Sequence, residues 1–195
     1  MFKTMAVATL SLSSLLLAPI ANAAWHVNND QSKVSFISIK SNSIAETHYF
    51  KTVSGGLSDE GQFKVEIDLA SVETMIPIRN ERMTNLLFET AKFPKAIITA
   101  DLTKRLQAIA PGQHLLKGIS AELDFHGNKK AIKFDVLANM SPMGDITISS
   151  LSPIIINASD FAVTEGIAQL QKLAGLPSIA TAVPVDFSLT LNKDR

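Results

Sequence analysis

Gln62 to Leu69 sets the pattern of the chain: Phe63, Val65, Ile67 and Leu69 alternate with Lys64, Glu66 and Asp68. A period of two with charges on one side predicts a strand with one buried and one wet face. The same alternation returns from Leu115 to Phe125, through Ile119, Ala121 and Leu123, and again at Ile132, Phe134 and Val136. His126-Gly127-Asn128 lies between these two runs and predicts a hairpin. Val183 to Leu191 gives a last strand, and Ala96 to Leu106, Ile146 to Ile148 and Ile154 to Ile156 give others. Near the start, the apolar parity switches from Val34 and Phe36 to Ile37 and Ile39, which predicts a bulge or strong bend within that strand. A second strand is expected at Thr52 to Leu57, where Gly55 and Gly56 allow it to bend. The count is about eight strands.

Two stretches obey a different period. Ser71 to Pro94 is too long for a structureless loop in a compact domain, and Met83, Leu86 and Leu87 stand at helical spacing within it. We read Arg79 to Phe88 as a short helix lying across the sheet as a lid, closed by Phe88, Phe93 and Pro94. Glu165 to Ala174 predicts a second helix, with Gly175 after its end and Pro177 beyond. Many antiparallel strands and two short helices suggest either a sandwich or a closed barrel. An eight-stranded barrel has an interior wide enough for side chains or one slender ligand.

The first 23 residues add a leader. Lys3, an apolar centre from Met5 to Ile20, and Ala21 and Ala23 have the form of a Sec signal peptide cleaved after Ala23. No other stretch reaches the ~20 apolar residues of a membrane span. Removing 23 of 195 residues leaves 172, expected as one domain at 24–195, with no integral span after cleavage. That domain keeps 17 basic residues, since Lys3 is lost, against 18 acidic ones, a net charge of −1. This gives no electrostatic case for nucleic acid. The chain has no cysteine, so packing alone holds the fold. A soluble periplasmic protein of a Gram-negative cell is the expectation.

Most of the ten phenylalanines fall on the apolar parity of a strand or beside the lid. A tunnel lined with Phe, Ile and Leu would suit an extended hydrocarbon. Candidate lining or lid residues are Phe36, Phe63, Val65, Leu86, Leu87 and Phe88, together with Phe93, Phe125, Phe134 and Phe187. Arg79 and Arg82, three apart on the lid helix, could bind an anionic head group or simply be solvated. Tyr49 and Phe50 belong to the lid packing or the tunnel mouth. Catalytic chemistry is hard to find: His26, His48, His114 and His126 are scattered, and no metal, nucleotide or nucleophile motif occurs. No cofactor or metal is expected.

Ser71-Val72-x-Thr74, Arg79-Asn80, Leu87-Phe88 and Phe93-Pro94 together resemble the signature of the YceI-like family. Trp25 with Ser32 and Phe36, the segment Phe50 to Gly55, and Gly118 through Gly127 extend the resemblance over nearly the whole mature chain. The resemblance implies an all-β, antiparallel eight-stranded extended lipocalin-like barrel. It also implies a non-enzymatic carrier of a long isoprenoid or other long-chain lipid, of quinone or polyprenyl type, and leaves room for a homodimer. Asn80, Arg82 and His48 depart from the usual family residues, so the tail-binding core carries over better than the head-group preference; His48, Tyr49, Arg79, Asn80 and Arg82 are the head-group candidates. An enzyme acting on a small lipid, with His48 or Arg79 catalytic, and a solid-core interaction module are the alternatives.

Overall fold

The computed structural model describes residues 23–106 and 110–194; the leader before Ala23 lies outside them. Twelve strands follow in chain order. They are β1 (Ala23–Val27), β2 (Lys33–Lys40), β3 (Ile44–Phe50), β4 (Val53–Ser58), β5 (Gln62–Asp68) and β6 (Val72–Glu73). After them come β7 (Lys95–Asp101), β8 (Gly112–Phe125), β9 (Asn128–Met140), β10 (Ile146–Ser150), β11 (Ile154–Asn157) and β12 (Ala182–Lys193). Three helices interrupt them: α1 (Pro77–Arg82), α2 (Thr103–Leu106) and α3 (Thr164–Leu173).

Pairing reduces the twelve to eight. β12 pairs on one side with β1 and β2, and on the other with β10 and β11. Each of those couples is therefore one barrel strand with a kink in it. β3 with β4, and β5 with β6, are broken in the same way. The eight composite strands run in chain order, each antiparallel to its neighbours, and the β1–β12 ladder closes the ring.

A kink frees backbone groups that need partners. Short polar side chains supply them. Asn29 accepts from the Val53 N–H at 2.7 Å and donates to the Lys51 carbonyl, tying the first kink to the second. Ser71 accepts from the Thr52 N–H at 3.0 Å and donates to the Asp68 carbonyl, tying the second to the third. Ser150 accepts from the Phe187 N–H at 3.2 Å beside the fourth.

The bend expected between Phe36 and Ile37 is not there. The β2–β3 register is unbroken from Val34 to Lys40, and the break falls earlier, at the 3₁₀ turn Asn29–Gln31. Val34, Phe36, Ser38 and Lys40 all face inward. The inner face turns polar because it reaches the open end of the barrel, and that change of content mimics a change of backbone parity. The weak stretch Ser41 to Lys51, for which no strand was expected, contains β3.

One end of the barrel is solid. Trp25, Leu57, Ile146 and Leu191 are buried there, and the Trp25 indole donates to the Gly144 carbonyl at 2.7 Å. The other end carries α1, α3 and the β2–β3 hairpin. Ser41 donates its N–H to Ser178, and Ala180 donates to Ile39, so the segment after α3 is bound to the hairpin. Gly166 of α3 lies against the lid: a Cβ there would stand 2.6 Å from the Leu86 carbonyl oxygen. Gly175 takes φ +62°, as expected of a residue just past a helix end.

Candidate functional site: a hydrocarbon-lined cavity with one polar end

Between the solid base and the helical end the barrel is hollow. The cavity measures about 500 Å³, within the usual range for small-molecule sites. Its wall is apolar almost throughout. From the strands come Phe36, Phe63, Val65, Phe125, Phe134 and Phe187, and from the lid Leu87 and Phe88, all among the residues the sequence pointed to. Rings follow one another along it: Phe36 to Phe50 at 5.5 Å, Phe50 to Phe88 at 5.8 Å and Phe88 to Phe125 at 6.1 Å between centroids. Spacings of this kind favour tilted and edge-on aromatic contacts, which stiffen the wall.

The lid is a helix of two kinds. Pro77 starts α1 at a position where its missing N–H costs nothing. From Met83 to Leu87 the chain widens into a π-helical turn, with the Phe88 N–H donating to Met83 at 2.9 Å. The wider turn lets Met83, Leu87 and Phe88 all face the cavity. Leu86, expected with them, is not in the wall; it lies beside Gly166 of α3. Phe93 is also outside the wall, stacked on His126 at 4.3 Å and covering Gly127 of the β8–β9 hairpin.

Among the described residues, polar side chains of the wall are confined to Ser38 and Lys40 of β2, His48 of β3, and Arg79 and Arg82 of α1. The first four are gathered by Glu46. Lys40 lies 2.7 Å from its carboxylate, Arg79 donates to Oε2 at 2.5 Å, and the His48 Nε2 sits 3.7 Å from the same oxygen. Ser38 is the cross-strand partner of Glu46, and Phe36 that of His48, so the ladder itself sets the cluster. The Lys40 bond, followed by Arg79, holds the Glu46 carboxyl below its ordinary value. Burial, and then the Arg79 charge, push His48 below 6.5, so the imidazole is neutral near pH 7.

Two atoms in this cluster have no partner. His48 is 3 % exposed, yet its Nδ1 makes no hydrogen bond, and neither does the buried Nε of Arg79. The other Arg79 nitrogens are committed to Glu46 and to the Thr74 carbonyl at 2.6 Å, so the free N–H cannot turn away to water. Buried polar atoms left without partners are uncommon and costly. Here both belong to side chains that line a cavity.

Tyr49 and Asn80 stand elsewhere. Tyr49 has the opposite parity to His48 and Phe50 and lies under the Lys33 ammonium, 5.1 Å from its ring. Asn80 accepts from the Thr74 N–H and hydroxyl and donates to Glu73 at 2.9 Å, so it fixes the segment before the lid. Lys40, Ser38 and Glu46 were missed in the sequence, as were Ile167, Leu170 and Ala174 on the α3 side of the wall. The helical spacing of α3 marked its apolar face; nothing local says that this face meets a cavity.

A closed antiparallel barrel of eight strands, hollow, hydrocarbon-lined and polar at one end, defines a lipocalin-like fold. Residues 25–191 match the family model described as the YceI-like domain, and the chain belongs to that family. A polyisoprenoid binding domain from Saccharophagus degradans, implicated in plant cell wall breakdown, is 35 % identical. It superposes with a TM-score of 0.84 over 89 % of this chain and 100 % of that one. BcnA of Burkholderia cenocepacia has the same fold at 21 % identity and TM-score 0.64, covering 84 % of this chain and 98 % of its own. A Campylobacter jejuni YCEI protein follows at 18 % and 0.50, over 76 % and 84 %. No functionally curated protein sequence matches the chain. Among the described residues no cluster could hold a metal ion, and no helix is long and apolar enough to cross a membrane.

Proposed function

We propose that this protein binds a long isoprenoid or similar amphiphilic lipid, of quinone or polyprenyl type, and holds its tail in the barrel for periplasmic transport or storage. The cavity carries this reading: a hollow interior walled by Phe, Ile, Leu and Val, with polar side chains at one end only. The similarity to a domain that binds polyisoprenoids points the same way.

The energetics are sufficient. Each buried CH₂ contributes about 0.8 kcal/mol, so a tail of ten such groups supplies roughly 8 kcal/mol before ordering costs. Micromolar affinity corresponds to about 8 kcal/mol. Longer tails therefore bind without help from the head group. The free Arg79 N–H and the free His48 nitrogen offer a head group one certain donor and one group of either role. Their task in this scheme is to orient the lipid, tail inward.

A titration tests it. Farnesol and geranylgeraniol, added from ethanol to protein stripped of lipid, should displace a fluorescent polyene fatty acid, the longer alcohol at lower concentration. Failure of the polyene and both alcohols to bind would rule the reading out.

A further inference from the structure

The polar end of the cavity also carries exposed apolar side chains. Met75 is 75 % exposed, and Ile44, Ile76 and Ile78 are each about half exposed. Ile76 and Ile78 line the cavity as well, so one apolar surface runs from the interior out onto the rim. Ile44 joins it from the other side: it is the cross-strand partner of Lys40, a wall residue, and partners on a ladder share a face.

Met75 is held there against its own preference. Its φ is +62°, a left-handed backbone that a side chain of this kind rarely adopts. The Met75 N–H donates to Glu73 at 2.7 Å, and Asn80 bridges Glu73 to Thr74, fixing the two residues before it. Strain of this sort persists only where the surroundings over-determine it, and it gathers at functional positions. Here it projects an apolar side chain into solvent.

The rim carries charges of both signs, many of them paired. Lys40, Lys51, Arg79 and Arg82 stand against Glu46, Glu73 and Glu81, with Glu46 tied to Lys40 and Arg79, and Glu73 to Lys51. A rim carrying both signs meets a zwitterionic layer of phosphate and ammonium groups without a repulsive field.

We infer that the rim formed by Ile44, Met75, Ile76 and Ile78 docks on a phospholipid bilayer, with the cavity mouth against the headgroup layer. This rests on the lipid-binding reading, because a tail then passes from membrane to barrel without crossing water. Docking is driven by apolar insertion, so salt leaves it nearly unchanged.

Flotation with phosphatidylcholine vesicles tests it. The parent protein should float with them, equally at 50 and 500 mM salt. Met75→Gly, which suits the left-handed backbone, and Ile44→Asp should each lower the bound fraction at least fivefold. Circular dichroism keeps loss of fold from being mistaken for loss of docking. A parent that stays at the bottom, variants that float unchanged, or binding abolished by salt would overturn the inference. So would a concentration-dependent dimer in sedimentation that Met75→Gly abolishes, because a second copy would then own this face. Uptake of the polyene probe from ethanol keeps the two ideas apart: a parent that binds probe but does not float refutes docking alone. A parent that floats but binds no probe refutes the cavity reading alone.

Discussion

Arg79 and His48 converge on a single oxygen, the Oε2 of Glu46, at 2.5 and 3.7 Å. The arginine lowers the imidazole's affinity for a proton and the carboxylate raises it. Two substitutions should therefore move His48 in opposite directions. Arg79→Met should raise its pKa and Glu46→Gln should lower it, both read from the imidazole carbon shifts in NMR titrations. Equal shifts of one sign would show that the cluster is not coupled as described.

His48 also sets a pH dependence of stability. Its folded pKa lies below 6.5 through burial and Arg79, while the unfolded imidazole protonates near 6.5. Stability from this group is present above pH 6.5 and is lost as pH falls through the folded value, because the unfolded chain binds the proton first. His48→Phe, packed beside Phe36 as the imidazole is at 5.4 Å, should flatten the slope of denaturation midpoint between pH 7 and 5. An unchanged slope would place the titration elsewhere.

Gly166 gives a test of how the lid is seated. Replacing a helical glycine by alanine ordinarily stabilises a helix by about 1 kcal/mol. At this position the new Cβ would lie 2.6 Å from the Leu86 oxygen and 2.8 Å from the Leu87 Cα, both backbone atoms that cannot swing aside. Gly166→Ala should thus destabilise by roughly 1–3 kcal/mol in urea unfolding, the cost of overpacking. Stabilisation would mean that α3 and the lid are not in contact.

Filling the cavity separates a hollow barrel from a solid one. Ile98 lies in the wall of the cavity. Ile98→Trp should weaken tail binding at least tenfold while costing less than about 1.5 kcal/mol, since the added ring enters empty space. Loss of several kcal/mol with unchanged affinity would describe a packed core instead.

The strands with one wet face were the readable part of the chain. Phe63 to Leu69 and Ile119 to Phe125 announce themselves because water lies on one side of them, whereas a bulge after Leu116 reverses the parity read at Leu115 and leaves that residue half exposed. β3 was missed because its inward residues near the mouth are polar: Glu46 and His48 break the alternation that a core would impose. The apparent bend at Phe36–Ile37 has the same origin in Ser38 and Lys40. At the site, Arg79 and Arg82 were legible because helical spacing places them on one side. Glu46 was not, because what makes it central is the pairing of β2 with β3 and the approach of α1, thirty-three residues away. Phe93 and Leu86 carried the right composition, yet they pack between elements; sequence shows that a residue is apolar and not which apolar surface it meets.

What distinguishes this barrel from a solid one is a hydrocarbon tail held in its interior. Native mass spectrometry of protein purified from its own host without detergent tests it most directly. The spectrum should show an added mass that organic extraction identifies as a long isoprenoid or similar amphiphile, and that Ile98→Trp lacks. Protein that carries no lipid from its host, and takes up no polyprenyl compound when one is offered, would contradict it.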